Sequence, residues 1–250
     1  MRHKTSSQTH AAAMIPLKDS IPCHSTPVVT WSIMAVCIAI FAVMVLLPDE
    51  TVRQLLYRYG MTPIRYSKPD WAYSFGLPPD YYLSFLTSLF LNGGWLHIAS
   101  NMIFMWIFAD NIEDLMGHKR FLAFYLSCGL LATYAQWLAY PDLAVPVVGA
   151  SGAIAGVLVA YFRRFPFAKV AVVVPILFFP LFFEVPAIGF LGAWLILQLH
   201  EATTAAVFGG VTMDSAWWAH LGGFVVGVFI HPLFIDNSKA TESIVDSAEN

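Results

Sequence analysis

The sequence predicts an all-α polytopic membrane protein of six transmembrane helices, and three observations carry that prediction. Hydrophobic residues make up 58% of the 250-residue chain and charged residues only 12%, with a mean hydropathy of +0.66, which excludes an ordinary water-soluble globule. Six segments are apolar over most of the about 20 residues that a helix needs to cross hydrocarbon. Lys and Arg are divided unevenly between the segments that connect them.

In chain order, residues 1–27 form a polar tail with Arg2, Lys4 and Lys18, expected to be disordered. No charge directly precedes a short apolar core and no small-residue cleavage site follows one, so the first helix is expected to be retained rather than removed as a signal peptide. The apolar segments run from Val28 to Leu47, Trp95 to Ala109, Phe121 to Ala139, Val147 to Phe162, Pro186 to Leu199 and Trp217 to Ile235. Together they make residues 28–235 one membrane domain, followed by a C-terminal tail at 236–250. The long loop at 48–81 and the residue after it hold Tyr57, Tyr59, Tyr66, Trp71, Tyr73, Tyr81 and Tyr82. Rings at that density favour a membrane interface, where one edge is wet and the other apolar, so the loop is expected to lie on the bilayer surface.

Charge fixes the expected orientation. The two tails and the turns after helices two and four hold nine Lys and Arg, and the loops on the opposite side hold four, all in the long loop. That asymmetry places both termini in the cytoplasm. The net charge of −3 leaves no nucleic-acid footprint. Cys23, Cys37 and Cys128 are an odd set, two of them within apolar runs, and read as packing residues.

In this topology helices two, four and six all begin on the outer side, and their first turns carry His97 with Asn101, Ser151, and His220. Three distant segments thus bring polar groups to one depth. Ser151 lies in Gly149-Ala150-Ser151-Gly152, where small neighbours leave a hydroxyl unobstructed; the same residues also suit close helix packing. A serine needs a base within about 2.6 to 3.2 Å to act as a nucleophile. His220 is the candidate, since Gly223 and Gly227 share its helix face and would pack against Gly152 and Gly156. His220 alone could equally be a packing histidine.

His97 and Asn101 are four residues apart on one helix face and can donate hydrogen bonds to a developing oxyanion, or clamp two helices together. Backbone N–H groups at the start of helix four would add to such a pocket. No acidic residue within a helix stands near His220 in sequence, so a serine and histidine dyad is the simpler assignment than a triad. A metalloprotease would need His-Glu-x-x-His, and His200-Glu201 lacks the second histidine. An aspartyl protease would need two embedded aspartates, and only Asp110 comes near. Glu113 and Asp114 read as a structural polar cluster.

Gly149-Ala150-Ser151-Gly152, His97-x-x-x-Asn101-Met102 and Ala219-His220-x-x-Gly223, in this order, resemble the rhomboid family of intramembrane serine proteases. Glu113 before Gly117-x-x-Arg120-Phe121, and Trp194 followed by Gln198, are similar to that family's pattern as well. The resemblance covers roughly Tyr82 to Pro232 and implies a rhomboid-like bundle of the bacterial six-helix type, hence a bacterial plasma membrane with the site near its extracytoplasmic side. It implies Ser151 as nucleophile, His220 as general base, and His97 and Asn101 as oxyanion-stabilising residues. It also implies transmembrane proteins as substrates, cut in or near a span in the lipid bilayer with no metal and no cofactor.

The chain departs from the pattern in two places: the first external loop has no Trp-Arg dipeptide, and Ala155 replaces the aromatic that some members carry four residues after the nucleophile. Gly209 and Gly210 are a candidate hinge for a cap, Met213 its plug, and Phe190 and Trp194 a lateral gate; the aromatics could equally face lipid. A relative that binds spans without cutting them would lack the serine or the histidine. A channel would need ionisable residues across the bilayer.

Overall fold

A computed structural model describes residues 15–176, 179–208 and 216–235. All six apolar segments are helical. Helix one is Val28–Val45, helix three His118–Ala139, helix four Ser151–Arg164, helix five Ala187–Phe208 and helix six Trp217–Phe234. Helix two is continuous through Trp95–Phe104, a π-helical turn at Met105–Ala109, and Asp110–Met116. Among the described residues, helices one, three and six are long and apolar enough to cross a membrane, and Ala187–His200 is a shorter apolar helix.

Helix four is the centre of the molecule. Every residue from Gly152 to Tyr161 is buried, which is the mark of a helix surrounded by others. It packs chiefly with helices three and six, and small residues set the spacing. A Cβ at Gly152 would lie 2.7 Å from that of Ala132 in helix three, and one at Gly227 would lie 2.7 Å from the Cα of Gly156. Where lipid offers no hydrophobic drive between helices, this close backbone contact supplies much of the packing energy. Below the glycines, Phe108, Phe121, Phe124, Tyr125 and Tyr161 fill the core at the end of the bundle where helix six finishes.

The expectation of an all-α chain is corrected: the fold is mostly helical, but a three-stranded antiparallel sheet in the order β1-β2-β3 closes that end. Its strands are β1 Ile15–Asp19, β2 Lys169–Ile176 and β3 Phe179–Pro186. Val170, Val172 and Val174 alternate towards the core and are buried. The period of two was hidden because the residues between them are also apolar, and a uniformly apolar run carries no alternation to read.

The N-terminal segment expected to be disordered is therefore ordered from residue 15. β1 pairs with β2, the Tyr161 hydroxyl donates to Asp19, and the Lys169 N–H donates to Ser20 at 3.0 Å. The Glu113 carboxylate, 1% exposed, then caps helix one. It accepts from the N–H groups of Val29 and Thr30 at 2.9 and 2.7 Å and from the Thr30 hydroxyl at 2.7 Å, and it pairs with His118 at 2.5 Å. Asp114 beside it accepts from the His24 N–H and the Ser25 hydroxyl.

The long loop folds into short helices at Asp49–Tyr59, Ile64–Ser67, Pro69–Ser74 and Leu83–Thr87. Its anchor is Arg65, which is buried, bonds to Asp80 at 2.7 Å and donates to the carbonyls of Tyr57 and Arg58. Asp80 also accepts from the Tyr66 hydroxyl and from the N–H groups of Tyr82 and Ser84. Burial raises the carboxyl's pKa, but the bonds from Tyr66 and Ser84 and the Arg65 charge outweigh it and hold Asp80 below the usual carboxylate range. Met61 exchanges both backbone hydrogen bonds with Val147, so this loop braces the chain entering helix four.

Candidate active site

Ser151 is the first residue of helix four because the chain before it cannot be helical. Gly149 takes φ +133° and its N–H is held by the carbonyl of Ser88. A Cβ at 149 would lie 2.7 Å from Nε2 of His97 and 3.4 Å from the Ser151 hydroxyl, so glycine is required for both conformation and space. No side chain caps this helix, which leaves the first-turn N–H groups without intrahelical acceptors.

His220 lies in the first turn of helix six, and its Nε2 is 2.7 Å from Oγ of Ser151. Its Nδ1 is 2.6 Å from Oε1 of Gln198 on helix five. The Trp194 ring stands one turn along helix five at 5.9 Å between centroids and 44° between planes, beside the imidazole rather than stacked on it. Buried Gln136 of helix three accepts from the Ala219 N–H at 3.1 Å and fixes the start of helix six one residue before His220.

His97 borders the same space from helix two. The Gly93 N–H donates to its Nδ1 at 3.3 Å, which puts the ring proton on Nε2, the atom nearest Gly149. Asn101 is buried one turn deeper, and its amide donates to Oδ1 of Asn92 at 2.8 Å. The structure thus brings Ser151, His220 and His97 together and holds Asn101 behind them against Asn92. A void of about 10 Å³ beside Ser151 is lined by Ser88, Thr133, Gly149 and Ala219 among others. Among the described residues it is too small to hold a peptide bond.

Of the expected gate residues, Trp194 reaches the site and Phe190 does not. Phe190 is 4% exposed and packs on Phe104 and Phe108 of helix two at 5.9 and 5.8 Å. It is a core residue one turn, about 6 Å along the helix axis, from Trp194. Met213, Gly209 and Gly210 lie outside the described residues. Gln198, Gln136 and Asn92 were not assigned roles from the sequence. The signal for the two glutamines was their isolation as amides in apolar helices, where a polar group must find a partner.

Residues 79–237, more than half of the chain, match the sequence model of the Rhomboid domain. The chain belongs to the rhomboid family. Among its relatives, the presenilin-associated rhomboid-like protein, mitochondrial, of Bos taurus is 32% identical over 146 residues, which is 58% of this chain and 36% of that protein. Rhomboid protein 1, mitochondrial, of Saccharomyces cerevisiae is 31% identical over 64% of this chain and 43% of its own length. Rhomboid-like protein 11, chloroplastic, of Arabidopsis thaliana is 30% identical over 61% and 52%. The match spans about a third to a half of each relative.

Membership in the rhomboid family points to intramembrane proteolysis. The bacterial plasma membrane expected from the sequence, with its cytoplasmic side for the termini, is overturned: these relatives are named mitochondrial and chloroplastic. The motifs read from the sequence name no compartment, and a charge asymmetry orders the two sides of a membrane without saying which membrane it is.

Proposed function

We propose that this rhomboid-family chain is an intramembrane serine endopeptidase that cuts peptide bonds in or near the spans of other membrane proteins. The observation that carries the reading is the 2.7 Å contact between Ser151 Oγ and His220 Nε2, inside the range for a serine and its base. His220 takes the hydroxyl proton as Ser151 attacks the scissile carbonyl, and returns it to the leaving amine. The Nε2–H of His97 and the free N–H groups at the start of helix four meet the negative oxygen of the tetrahedral intermediate. Asn101, which gives one amide proton to Asn92, has a second to offer and is proposed to help stabilise that oxygen. Water then hydrolyses the acyl-serine with His220 again as base, and no step needs a metal or a cofactor.

The bundle is proposed to span the bilayer with all six helices, the short second and fourth among them, with Ser151 at the end where the long loop lies. Helix five, through Trp194, is the element proposed to yield for a substrate span. The relatives' names make the membrane of an organelle the reading for its location, which fractionation of expressing cells would check.

A fluorophosphonate probe on the solubilised chain tests the chemistry, beside Ser151→Ala and His220→Ala and with cleavage of a transmembrane substrate in proteoliposomes. Labelling and cleavage are expected in the parent chain alone. Labelling that survives Ser151→Ala sinks the nucleophile, and binding of spans without cleavage by the parent chain favours a non-catalytic role.

A further inference from the structure

We infer that Gln198 is a positioning residue for His220, selecting the ring tautomer that can act as a base. The inference rests on the Ser151 and His220 reading above. An imidazole has one proton when neutral, and its two nitrogens answer to different partners. His220 presents Nε2 to Ser151 at 2.7 Å and Nδ1 to the Gln198 amide at 2.6 Å. With Oε1 facing Nδ1, as here, the ring proton sits on Nδ1 and Nε2 is a lone-pair acceptor for the hydroxyl proton. With the amide turned over, its NH₂ would donate to Nδ1, the proton would sit on Nε2, and the ring could no longer accept from Ser151.

Nothing else in the described site performs this task. Position 155 on helix four is Ala, with no ring for the imidazole to stack on, and Trp194 meets His220 at a tilt. The other lining of the cavity of about 180 Å³ between helices five and six is largely apolar, with Leu195, Leu199, Trp217 and Leu221. The ring is therefore held in plane by two hydrogen bonds, from helix four and helix five. Gln198 takes the position at Nδ1 that a carboxylate holds in a triad, with a neutral dipole in place of a charge. Because it is on helix five, any outward movement of that helix also releases the ring.

The experiment compares the full-length parent chain with Gln198→Leu, which removes the acceptor, and Gln198→Glu, which keeps an acceptor of the same shape and adds a charge. In proteoliposomes Gln198→Leu is expected to lose about 100-fold in kcat, within the cost of a wrong tautomer, with KM little changed. Gln198→Glu is expected to restore most of the rate and to move the acid limb of the pH profile up by about one unit or more, as a carboxylate favours the imidazolium. Nitrogen NMR of labelled histidine reads the tautomer without any turnover: Nδ1–H in the parent, and a shift to mixed or Nε2–H forms in Gln198→Leu. Parent-like kcat and an unchanged tautomer in Gln198→Leu would overturn the inference. A parent chain with the Nδ1–H tautomer but no labelling and no cleavage would overturn the protease reading and leave the tautomer result standing.

Discussion

Gly223 of helix six stands so close to the carbonyl oxygen of Gly152 on helix four that even a methyl group at 223 would overlap it. Gly152 directly follows Ser151 and Gly223 is three residues, nearly one turn, after His220, so the backbone contact sets the distance between the hydroxyl and the imidazole. The obstacle is main chain and cannot rotate away.

Gly223→Ala is therefore expected to push helices four and six apart. Overpacking of this kind costs about 1–3 kcal/mol, and the lost register should lower kcat at least 10-fold, since a misplacement of about 1 Å can cost about 100-fold. Thermal unfolding and cleavage measured together check this. Full activity in the variant would mean that the glycine contact does not set the site.

Gln136→Leu removes the acceptor for the Ala219 N–H, one residue before His220. Leaving that buried donor unpaired should cost about 1–3 kcal/mol and reduce kcat several-fold through a looser first turn of helix six. Unfolding curves and kcat at one temperature distinguish the two effects; if neither moves, helix six is positioned without Gln136.

Glu113→Gln replaces one carboxylate oxygen with an NH₂ group facing groups that need an acceptor. Hydrogen bonds to a charged partner are worth about 1.5–3 kcal/mol, so a loss of about that size in stability is expected. The site is at the other end of helix two, so kcat at low temperature should stay at the parent level. A fall in kcat without loss of stability would show that this end communicates with Ser151.

Asp80→Asn leaves the Arg65 charge buried without its partner, which should destabilise the loop by about 3 kcal/mol. The pH dependence has a definite sign. A carboxyl held below its ordinary value near 3.8 gives stability that is complete above that value and lost as pH falls through the lower folded value. Protection of the Met61 and Val147 amides from hydrogen exchange should therefore hold at neutral pH and fall in acid in the parent chain, and be low throughout in Asp80→Asn. Equal protection in both would place the anchor elsewhere.

The apolar runs were legible because a spanning helix must be apolar over a length set by the bilayer, and the positions of Ser151, His97 and His220 in first turns followed from counting helices. The sheet was not legible, because the run at 170–174 is apolar on both faces and carries no alternation. Phe190 and Trp194 looked alike as aromatics on one helix. Only their neighbours separate them: Phe104 and Phe108 for one, the His220 ring for the other.

By itself the sequence pointed to an all-α membrane protein with a serine and two histidines in the first turns of three helices, because hydropathy and spacing are properties of each segment alone. Tertiary structure decided which side chains meet. Whether Gln198 faces the imidazole, whether Gln136 caps helix six, and how Arg65 and Asp80 anchor the long loop all depend on helix rotations and loop paths. Those are set by close packing between segments far apart in the chain, where a rotation of one side chain's width changes every partner.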